Sequence, residues 1–304
     1  MSGTAALESL FPAAPSLRPL FRQVERAARS EAPVLILGPG GSGRSTLARA
    51  LHAASPRAAG NLVEVDIAAL PATLFESELF GFEAGAFTGA ERASAGRVAS
   101  AAGGTLVLDR IEEVPLGGQP KLLRLLAERR FAPLGGADRS ADVRFVGIGA
   151  ADLGERVRRG AFRADLFYRL EVLTFSLPPL ERRKEDLPAT LDYFLADLAV
   201  RTGRPGLALT ERARGWMLDY SWPGNLRQVR NVLERALIER AGEAPLDPRP
   251  PADGRPRPEA LAAVEKRQIE AALAYTRGRQ GRAAEVLGIS RKTLWEKRRK
   301  YGLP

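Results

Sequence analysis

A glycine-rich run between an apolar tetrapeptide and a helical pattern has the residue types of a phosphate-binding loop. Val34 to Leu37 is predicted to be a buried parallel strand, and Thr46 to Ala53 a helix. The run between them matches G-x-x-x-x-G-K-[ST] except at Arg44, which keeps the charge of lysine in a planar group. Backbone N–H groups of such a loop bind phosphate oxygens, and a structural glycine turn is the alternative. The residues predicted to bind nucleotide are Gly38, Gly40, Gly41, Ser42, Gly43, Arg44, Ser45 and Thr46.

Two oxygen ligands for magnesium are predicted beside this loop. Ser45 carries a hydroxyl at the last position of the motif. Asp109 ends an apolar run that begins at Gly104, and a carboxylate at the end of such a strand reaches Mg²⁺ or its water. The next residue is Arg110, whose guanidinium has no acceptor and cannot act as a general base. We therefore predict a site that can bind ATP and Mg²⁺ but has no base directly after Asp109.

The nearest carboxylates that follow this position belong to Glu112 and Glu113. Their spacing from Asp109 does not show that either of them reaches the nucleotide. We expect both side chains in a solvated turn, which is the usual place of adjacent acidic residues.

These chemical groups must be positioned by a parallel sheet, because the ends of parallel strands meet at one edge. Helices are predicted over residues 17–27, 70–79 and 119–128, and the pattern becomes all-helical from residue 186 to about residue 241. The fold class is therefore α/β, with a helical segment after a five-stranded parallel sheet. The predicted strands are Val34–Leu37, Leu62–Asp66, Gly104–Asp109, Val143–Ile148 and Val172–Phe175.

The positive charge of the chain is concentrated near its C-terminus. Residues 255–304 contain 13 Lys or Arg against 5 Glu, which accounts for +8 of the net charge of +10. A helix over 258–275 and a helix-turn-helix over 281–295 are predicted there, with Ser290 as the N-cap of the second helix. Double-stranded DNA is the expected partner, and a solvated basic tail is the alternative. The predicted DNA-binding residues are Ser290, Arg291, Lys292, Thr293, Glu296, Lys297, Arg298, Arg299 and Lys300.

A loop with one large aromatic side chain lies between the second and third predicted strands. Phe87 is surrounded by Gly85, Ala86, Thr88, Gly89 and Ala90, which are too small to bury it. The pattern indicates an exposed contact surface, and an ordinary turn whose aromatic ring folds back is the alternative. The run resembles the GAFTGA loop of bacterial sigma-54-dependent transcription activators, also called enhancer-binding proteins. In that family the loop contacts the sigma factor, so this resemblance assigns the same role to residues 85–90, the contact loop.

The resemblance extends from about residue 12 to residue 304 and implies an AAA+ core, a helical lid and a Fis-type helix-turn-helix. It implies that Arg163 and Arg169 act as arginine fingers across a subunit boundary, and that Arg227 of the Trp-Pro-Gly-Asn-x-Arg motif reaches the nucleotide. Members of the family form ring oligomers, bind DNA and remodel sigma-54 RNA polymerase by hydrolysing ATP. The expected partners are therefore DNA, sigma-54 RNA polymerase and other subunits of a homo- or hetero-oligomeric ring.

Several positions depart from the family pattern around the nucleotide. The family has Glu where this chain has Arg110, and Asn where it has Asp66. It has a Thr-Asn pair, which senses the γ-phosphate, where this chain has Gly149 and Ala150. These differences together suggest a site that is no longer tuned for hydrolysis.

The predicted domains are a nucleotide-binding core over 1–180, a lid over 181–241, a proline-rich linker over 242–258 and a DNA-binding domain over 259–304. We expect no N-terminal sensory domain. The chain has no cysteine and one histidine, which excludes disulfides, thiol catalysis and multi-histidine metal sites. Its first residues lack the basic and apolar regions of a signal peptide, and no apolar run approaches membrane-spanning length, so we expect a cytoplasmic protein that does not contact a membrane.

Two functions remain open from the sequence. In the first, the chain regulates sigma-54-dependent promoters, with weak or no ATP hydrolysis of its own, and acts alone or in mixed rings with a competent partner. In the second, it is a non-enzymatic DNA-binding regulator that tunes a promoter without ATP turnover. The contact loop favours the first function, and Arg110 favours the second for the isolated protein.

Overall fold

The computed structural model describes residues 14–240, 244–251, 265, 268–270, 272–273, 275–276 and 279–301. The chain divides into two compact units, residues 1–252 and 253–304. Within the described residues, no helix is both long enough and apolar enough to cross a membrane.

A parallel sheet of five strands forms the centre of the larger unit, in the order Leu62–Asp66, Thr105–Asp109, Arg144–Gly149, Val34–Leu37 and Leu173–Ser176. All five predicted strands are confirmed, two with the predicted ends and three with ends that differ by one residue. The strands are β1 (Val34–Leu37), β2 (Leu62–Asp66), β3 (Thr105–Asp109), β6 (Arg144–Gly149) and β7 (Leu173–Ser176), and β4 (Arg130–Phe131) and β5 (Arg139–Ser140) form a separate antiparallel pair.

This strand order places the ends of β1, β3 and β6 side by side. In open parallel sheets the crevice beyond the carboxyl ends of the strands is where ligands bind. Both faces of the sheet are covered, with Leu35, Leu106 and Leu108 in one apolar layer. Val34 and Ile36 belong to the layer on the other face. Burial on both faces explains why the strands are almost continuously apolar in sequence.

The helices of the α/β layer surround the sheet. The predicted helix over 119–128 is confirmed with the same bounds. These helices are α1 (Arg18–Ala28), α2 (Arg44–Ala53), α3 (Phe75–Phe80), α4 (Gly96–Ser100), α5 (Gln119–Glu128), α6 (Leu153–Arg158) and α7 (Ala164–Leu170), and short 3₁₀ turns cover Pro15–Leu17, Ile67–Ala69 and Ile111–Glu113.

The helix predicted over residues 70–79 is wrong in its first half, because α3 begins only at Phe75. Leu70 has φ −96° and ψ 128°, an extended conformation. The following Pro71 disfavours the helical conformation for the residue before it, so the helix cannot begin there.

The lid packs around its own apolar core. Leu180–Asp186 forms a 3₁₀ segment, followed by α8 (Leu187–Thr202), α9 (Glu211–Asp219) and α10 (Asn225–Glu239). Part of the predicted linker also packs here, because Leu246 is buried and its N–H donates to the carbonyl oxygen of Ala208. The core of the lid contains Leu180, Leu187, Leu191, Met217, Trp222, Val229, Leu233 and Leu246.

The smaller unit contains α11 (Gln280–Val286) and α12 (Arg291–Tyr301), which are the two helices of the predicted helix-turn-helix. Leu294 is buried against Ala283 and Ala284, as the sequence predicts. The Ser290 hydroxyl accepts a hydrogen bond of 3.0 Å from the N–H of Thr293, which is the predicted N-cap contact. Most of the helix predicted over 258–275 lies outside the described residues.

Candidate functional site

The glycine-rich run folds as a phosphate-binding loop between β1 and α2. Gly38, Gly41 and Gly43 have φ values of 152°, 74° and 105°, which residues with a side chain rarely adopt. A Cβ on Gly41 would lie 2.5 Å from the carbonyl oxygen of Gly224, so this glycine is also required by the close approach of the lid. The loop leads directly into the N-terminus of α2, where backbone N–H groups are available to an anion.

A cavity of about 450 Å³ lies between this loop and the lid. Its wall contains the five arginines 44, 49, 183, 227 and 230, and among the described wall residues Asp109 is the only carboxylate. Such an excess of cationic groups suits a polyanionic ligand. The structure brings together a set of predicted site residues that are far apart in sequence, namely Gly41, Gly43, Arg44, Ser45, Thr46, Asp109 and Arg227.

Ser45 and Asp109 are adjacent in this cavity. The Ser45 hydroxyl donates a hydrogen bond of 3.2 Å to Oδ2 of Asp109. The backbone N–H of Arg110 donates to the other carboxylate oxygen, Oδ1, at 2.8 Å, which fixes the carboxylate. Hydroxyl and carboxylate oxygens are the ligands that Mg²⁺ prefers, so the two residues fit the predicted role.

Arg44 is turned toward the backbone at the sheet edge. Its Nη1 atom donates to the carbonyl oxygens of Gly38, at 2.8 Å, and of Gly149, at 2.5 Å. Through this one nitrogen the guanidinium links the first glycine of the loop to the end of β6.

Arg110 is held by an ion pair with Asp66 at the ends of the adjacent strands β3 and β2. The Arg110 Nε atom donates to Oδ1 of Asp66 at 2.6 Å, and Nη2 contacts the other carboxylate oxygen. This carboxylate raises the pKa of Arg110, so the guanidinium stays charged. Arg110 has φ 58°, a left-handed conformation that costs about 1–2 kcal/mol for a residue with a side chain. Two of the residues that depart from the family pattern, Arg110 and Asp66, thus form a pair of opposite charges.

The expectation for Glu113 is confirmed, but that for Glu112 is wrong. Glu113 is exposed and forms an ion pair of 3.2 Å with Arg156. Glu112 is only 8% exposed, and its Oε2 atom has no hydrogen-bond partner within the described part of the chain. The carboxylate lies beside Gly149, since a Cβ built on that glycine would be in ordinary van der Waals contact with Oε2, at 3.4 Å.

Of the two predicted arginine fingers, Arg163 directly precedes α7 and Arg169 lies in its last turn, and neither lines the cavity. Arg163 is exposed and forms an ion pair of 2.8 Å with Asp165. Arg169 donates to the carbonyl oxygens of Leu126 and Ala127, both at 3.3 Å. Their position outside the subunit's own cavity is compatible with action on a neighbouring subunit.

The contact loop is ordered by backbone hydrogen bonds and presents Phe87 at its surface. The N–H of Gly85 donates to the carbonyl oxygen of Ala90 at 2.8 Å, and the N–H of Ala90 to that of Phe87 at 3.0 Å. The ring of Phe87 packs on Phe82, with 4.9 Å between the ring centroids. It is nevertheless 45% exposed. Both sequence interpretations thus hold in part, since the ring folds back and still offers a face to a partner.

The basic helix α12 exposes most of the predicted DNA-binding residues, including Arg291, Lys292, Arg299 and Lys300. Lys297 forms an ion pair with Glu265 of the same unit, so part of its bonding capacity is used within the unit. Trp295 was not predicted as a site residue; it is 55% exposed, and its ring centroid lies 5.7 Å from Cζ of Arg299. An aromatic residue inside a basic helix was the available signal for it.

The lid contributes two residues with different roles, Trp222 before α10 and Asn225 at its first position. Trp222 is buried in the core of the lid, and its Nε1–H donates to the carbonyl oxygen of Met217 at 2.8 Å. Asn225 was not predicted, yet its Nδ2 atom donates to the carbonyl oxygen of Gly40 in the phosphate-binding loop at 3.0 Å. Its place in the Trp-Pro-Gly-Asn-x-Arg motif was the only signal in the sequence.

The fold and the cavity define an AAA+ type P-loop protein with a helical lid and a helix-turn-helix. Family models agree with each part. Residues 10–176 match the sigma-54 interaction domain, residues 181–246 the AAA+ ATPase lid domain, and residues 260–301 the Fis family of bacterial regulatory proteins. The chain belongs to the sigma-54 interaction domain family.

Individual relatives match over nearly the whole chain. The alginate biosynthesis transcriptional regulatory protein AlgB of Pseudomonas syringae pv. tomato is 43% identical over 298 residues, which cover 95% of this chain and 66% of AlgB. The C4-dicarboxylate transport transcriptional regulatory protein DctD of Rhizobium meliloti is 40% identical, over 95% of this chain and 63% of DctD. The chain therefore spans about two thirds of the length of these curated relatives.

Solved structures agree with this placement. The crystal structure of NtrX from Brucella abortus in complex with ATP superposes with a TM-score of 0.71 and 34% identity. The match covers 95% of this chain and 68% of the NtrX chain.

Proposed function

We propose that the chain is a DNA-binding regulator of sigma-54-dependent promoters that contacts the sigma factor through residues 85–90. The observation that supports this most strongly is the ordered loop that presents Phe87 at 45% exposure. A large aromatic on a framework of glycine and alanine is a typical interface anchor. Direct binding to purified sigma-54, measured by surface plasmon resonance, tests the contact, and Phe87→Ala should remove it.

We propose that the cavity binds ATP with Mg²⁺ between the phosphate-binding loop and the lid. Five arginines in the wall and the adjacent oxygens of Ser45 and Asp109 support this. The NtrX relative was crystallised with ATP. In this chain, Arg227 and the N–H groups at the start of α2 would bind phosphate, while Ser45 and Asp109 would hold the metal ion, which neutralises phosphate charge.

We propose that the chain alone hydrolyses ATP weakly or not at all. A guanidinium occupies the position after Asp109, and its ion pair with Asp66 keeps it charged. No carboxylate other than Asp109 lines the described wall of the cavity. In a mixed ring, Arg163 or Arg169 would serve the site of a competent neighbour, and an arginine finger contributes about 10³–10⁵ in rate.

A non-enzymatic DNA-binding regulator is the second candidate, and the Arg110–Asp66 pair favours it. The two candidates differ in whether the contact loop matters for output. They share the DNA-binding helix α12, so DNA binding alone does not distinguish them.

The affinity for DNA is expected to fall steeply as the salt concentration rises, because Arg298, Arg299 and Lys300 would neutralise phosphates. Each phosphate contact contributes about −0.9 to the slope of log K against log salt. Arg299→Ala should therefore make the slope less negative by about 0.9. Fluorescence anisotropy with a duplex at several salt concentrations measures this. Arg204→Ala, an exposed arginine of the lid, is the control. A salt-independent affinity would contradict the assignment of residues 298–300.

A further inference from the structure

Three successive carbonyl groups of the phosphate-binding loop accept hydrogen bonds from the lid. The carbonyl oxygen of Gly40 accepts from Asn225 Nδ2 at 3.0 Å. That of Gly41 accepts from the backbone N–H of Leu226 at 3.0 Å. That of Ser42 accepts from Arg183 Nη2 at 2.7 Å. The donors come from two segments of the lid, residues 180–186 and the first turn of α10.

The Asn225 side chain is fixed at this contact from both ends. It is 2% exposed, and its Oδ1 atom accepts a hydrogen bond of 2.7 Å from the N–H of Leu180. Asn225 has φ 52°, a left-handed conformation that asparagine tolerates better than most residues. The side chain thus links the two lid segments to each other and to the loop.

Arg183 is an unusual donor because its side chain is almost completely removed from solvent. It is 3% exposed, and burial lowers the pKa of its guanidinium. Its Nε atom is buried without a hydrogen-bond partner in the described part of the chain, although the residue lines the cavity. Burying a cation against a carbonyl is costly, so the contact needs an explanation beyond packing.

The consequence for the loop follows from peptide geometry. No described peptide bond is cis, so each carbonyl points opposite to the N–H of the next residue. Holding the carbonyls of Gly40 and Ser42 on the lid turns the N–H groups of Gly41 and Gly43 away from these contacts. Both of these glycines line the cavity, where N–H groups are needed for phosphate.

We propose that Asn225 and Arg183 are positioning residues that hold the phosphate-binding loop in its ligand-ready conformation. Arg227 follows in the same turn, so the contacts that orient the loop also place this arginine in the cavity. Nucleotide affinity and lid position are then coupled through the backbone of residues 40–42. This inference rests on the proposed nucleotide binding and assigns a further role in it to the lid.

Calorimetric titration of the full chain with ADP tests the inference without interference from hydrolysis. Asn225→Asp keeps the size of the side chain and the oxygen that faces Leu180 but removes the donor to Gly40. Arg183→Met removes the donor to Ser42, and Arg183→Lys restores a donor. We expect Asn225→Asp and Arg183→Met to weaken ADP binding about tenfold or more, and Arg183→Lys to stay within about threefold of wild type.

Gln228→Ala is the matched control. The Gln228 Oε1 atom accepts a hydrogen bond of 2.9 Å from the N–H of Gly224, so the substitution loosens the same turn without removing a contact to the loop. ADP affinity should change by less than about twofold in this variant. The near-ultraviolet circular dichroism of Trp216 and Trp222 reports whether the lid of each variant is folded.

A second readout separates positioning from general stability. Arg227→Ala should weaken ADP binding strongly in the wild-type background but by less than about twofold in the Asn225→Asp background, because the turn no longer presents this arginine. Additive effects would overturn the proposal, as would folded Asn225→Asp and Arg183→Met variants that bind like wild type or like Gln228→Ala. If the wild type itself binds no nucleotide, the proposed nucleotide site fails and this inference fails with it.

Discussion

Phe87→Ala is expected to reduce transcription from a sigma-54-dependent promoter controlled by this chain by about 30-fold or more. Truncation of an anchoring aromatic at an interface costs about 2 kcal/mol or more, which corresponds to this factor. The ring is available, since it is 45% exposed on an ordered loop. A promoter fused to a reporter, in cells that express the variant at the wild-type level, provides the measurement.

Val200→Ala is the control for this experiment, because Val200 is an apolar residue of the lid that is 83% exposed and outside the contact loop. Promoter binding by the Phe87→Ala protein should remain at the wild-type level, since the loop and α12 belong to different compact units. Unchanged transcription in the Phe87→Ala strain would contradict the sigma-54 contact and favour the plain DNA-binding regulator.

The double variant Arg110→Glu with Asp66→Asn is expected to hydrolyse ATP about 100-fold faster than wild type. A positioned general base contributes about 10²–10⁴ in rate, and the wild-type chain has a guanidinium at this place. Both substitutions are needed. Asp66 now pairs with Arg110, and if it were left unchanged its negative charge would repel the new carboxylate at position 110. Steady-state phosphate release by the purified proteins measures the effect.

Arg110→Gln is the matched control, since it removes the cation without adding a carboxylate and should not gain activity. An inactive double variant that still binds ATP would contradict the claim that the base position limits hydrolysis. The absence of polar side chains at Gly149 and Ala150 would then be the stronger limit.

Much of the architecture could be predicted because it depends on patterns within single segments. The apolar tetrapeptide before the glycine-rich run and the helix after it fixed the place of the phosphate-binding loop. Asp109 was predicted from its position at the end of a strand, and Ser45 from its position at the end of that loop. In the structure, the Ser45 hydroxyl oxygen lies 3.2 Å from Oδ2 of Asp109. The helix-turn-helix followed from the apolar spacing around Leu294 and from the N-cap residue Ser290.

The features that escaped prediction depend on contacts between distant segments. Glu112 is buried beside Gly149, which lies 37 positions further along the chain, and this contact cannot be read from the local sequence. The role of Asn225 depends on the docking of the lid onto a loop that lies 185 positions earlier in the chain. The pair β4 and β5 has two residues in each strand, which is too short for a recognisable alternation.

ATP binding and ATP hydrolysis, measured in the same samples over a series of protein concentrations, test the central claim most directly. The claim is that the arginine-rich cavity binds ATP while Arg110, paired with Asp66, leaves the isolated chain without effective hydrolysis. We predict saturable binding, with phosphate release that stays at the level of an Asp109→Ala sample at every concentration. Phosphate release per subunit that exceeds this background and rises with protein concentration would contradict the claim and show an autonomous ATPase.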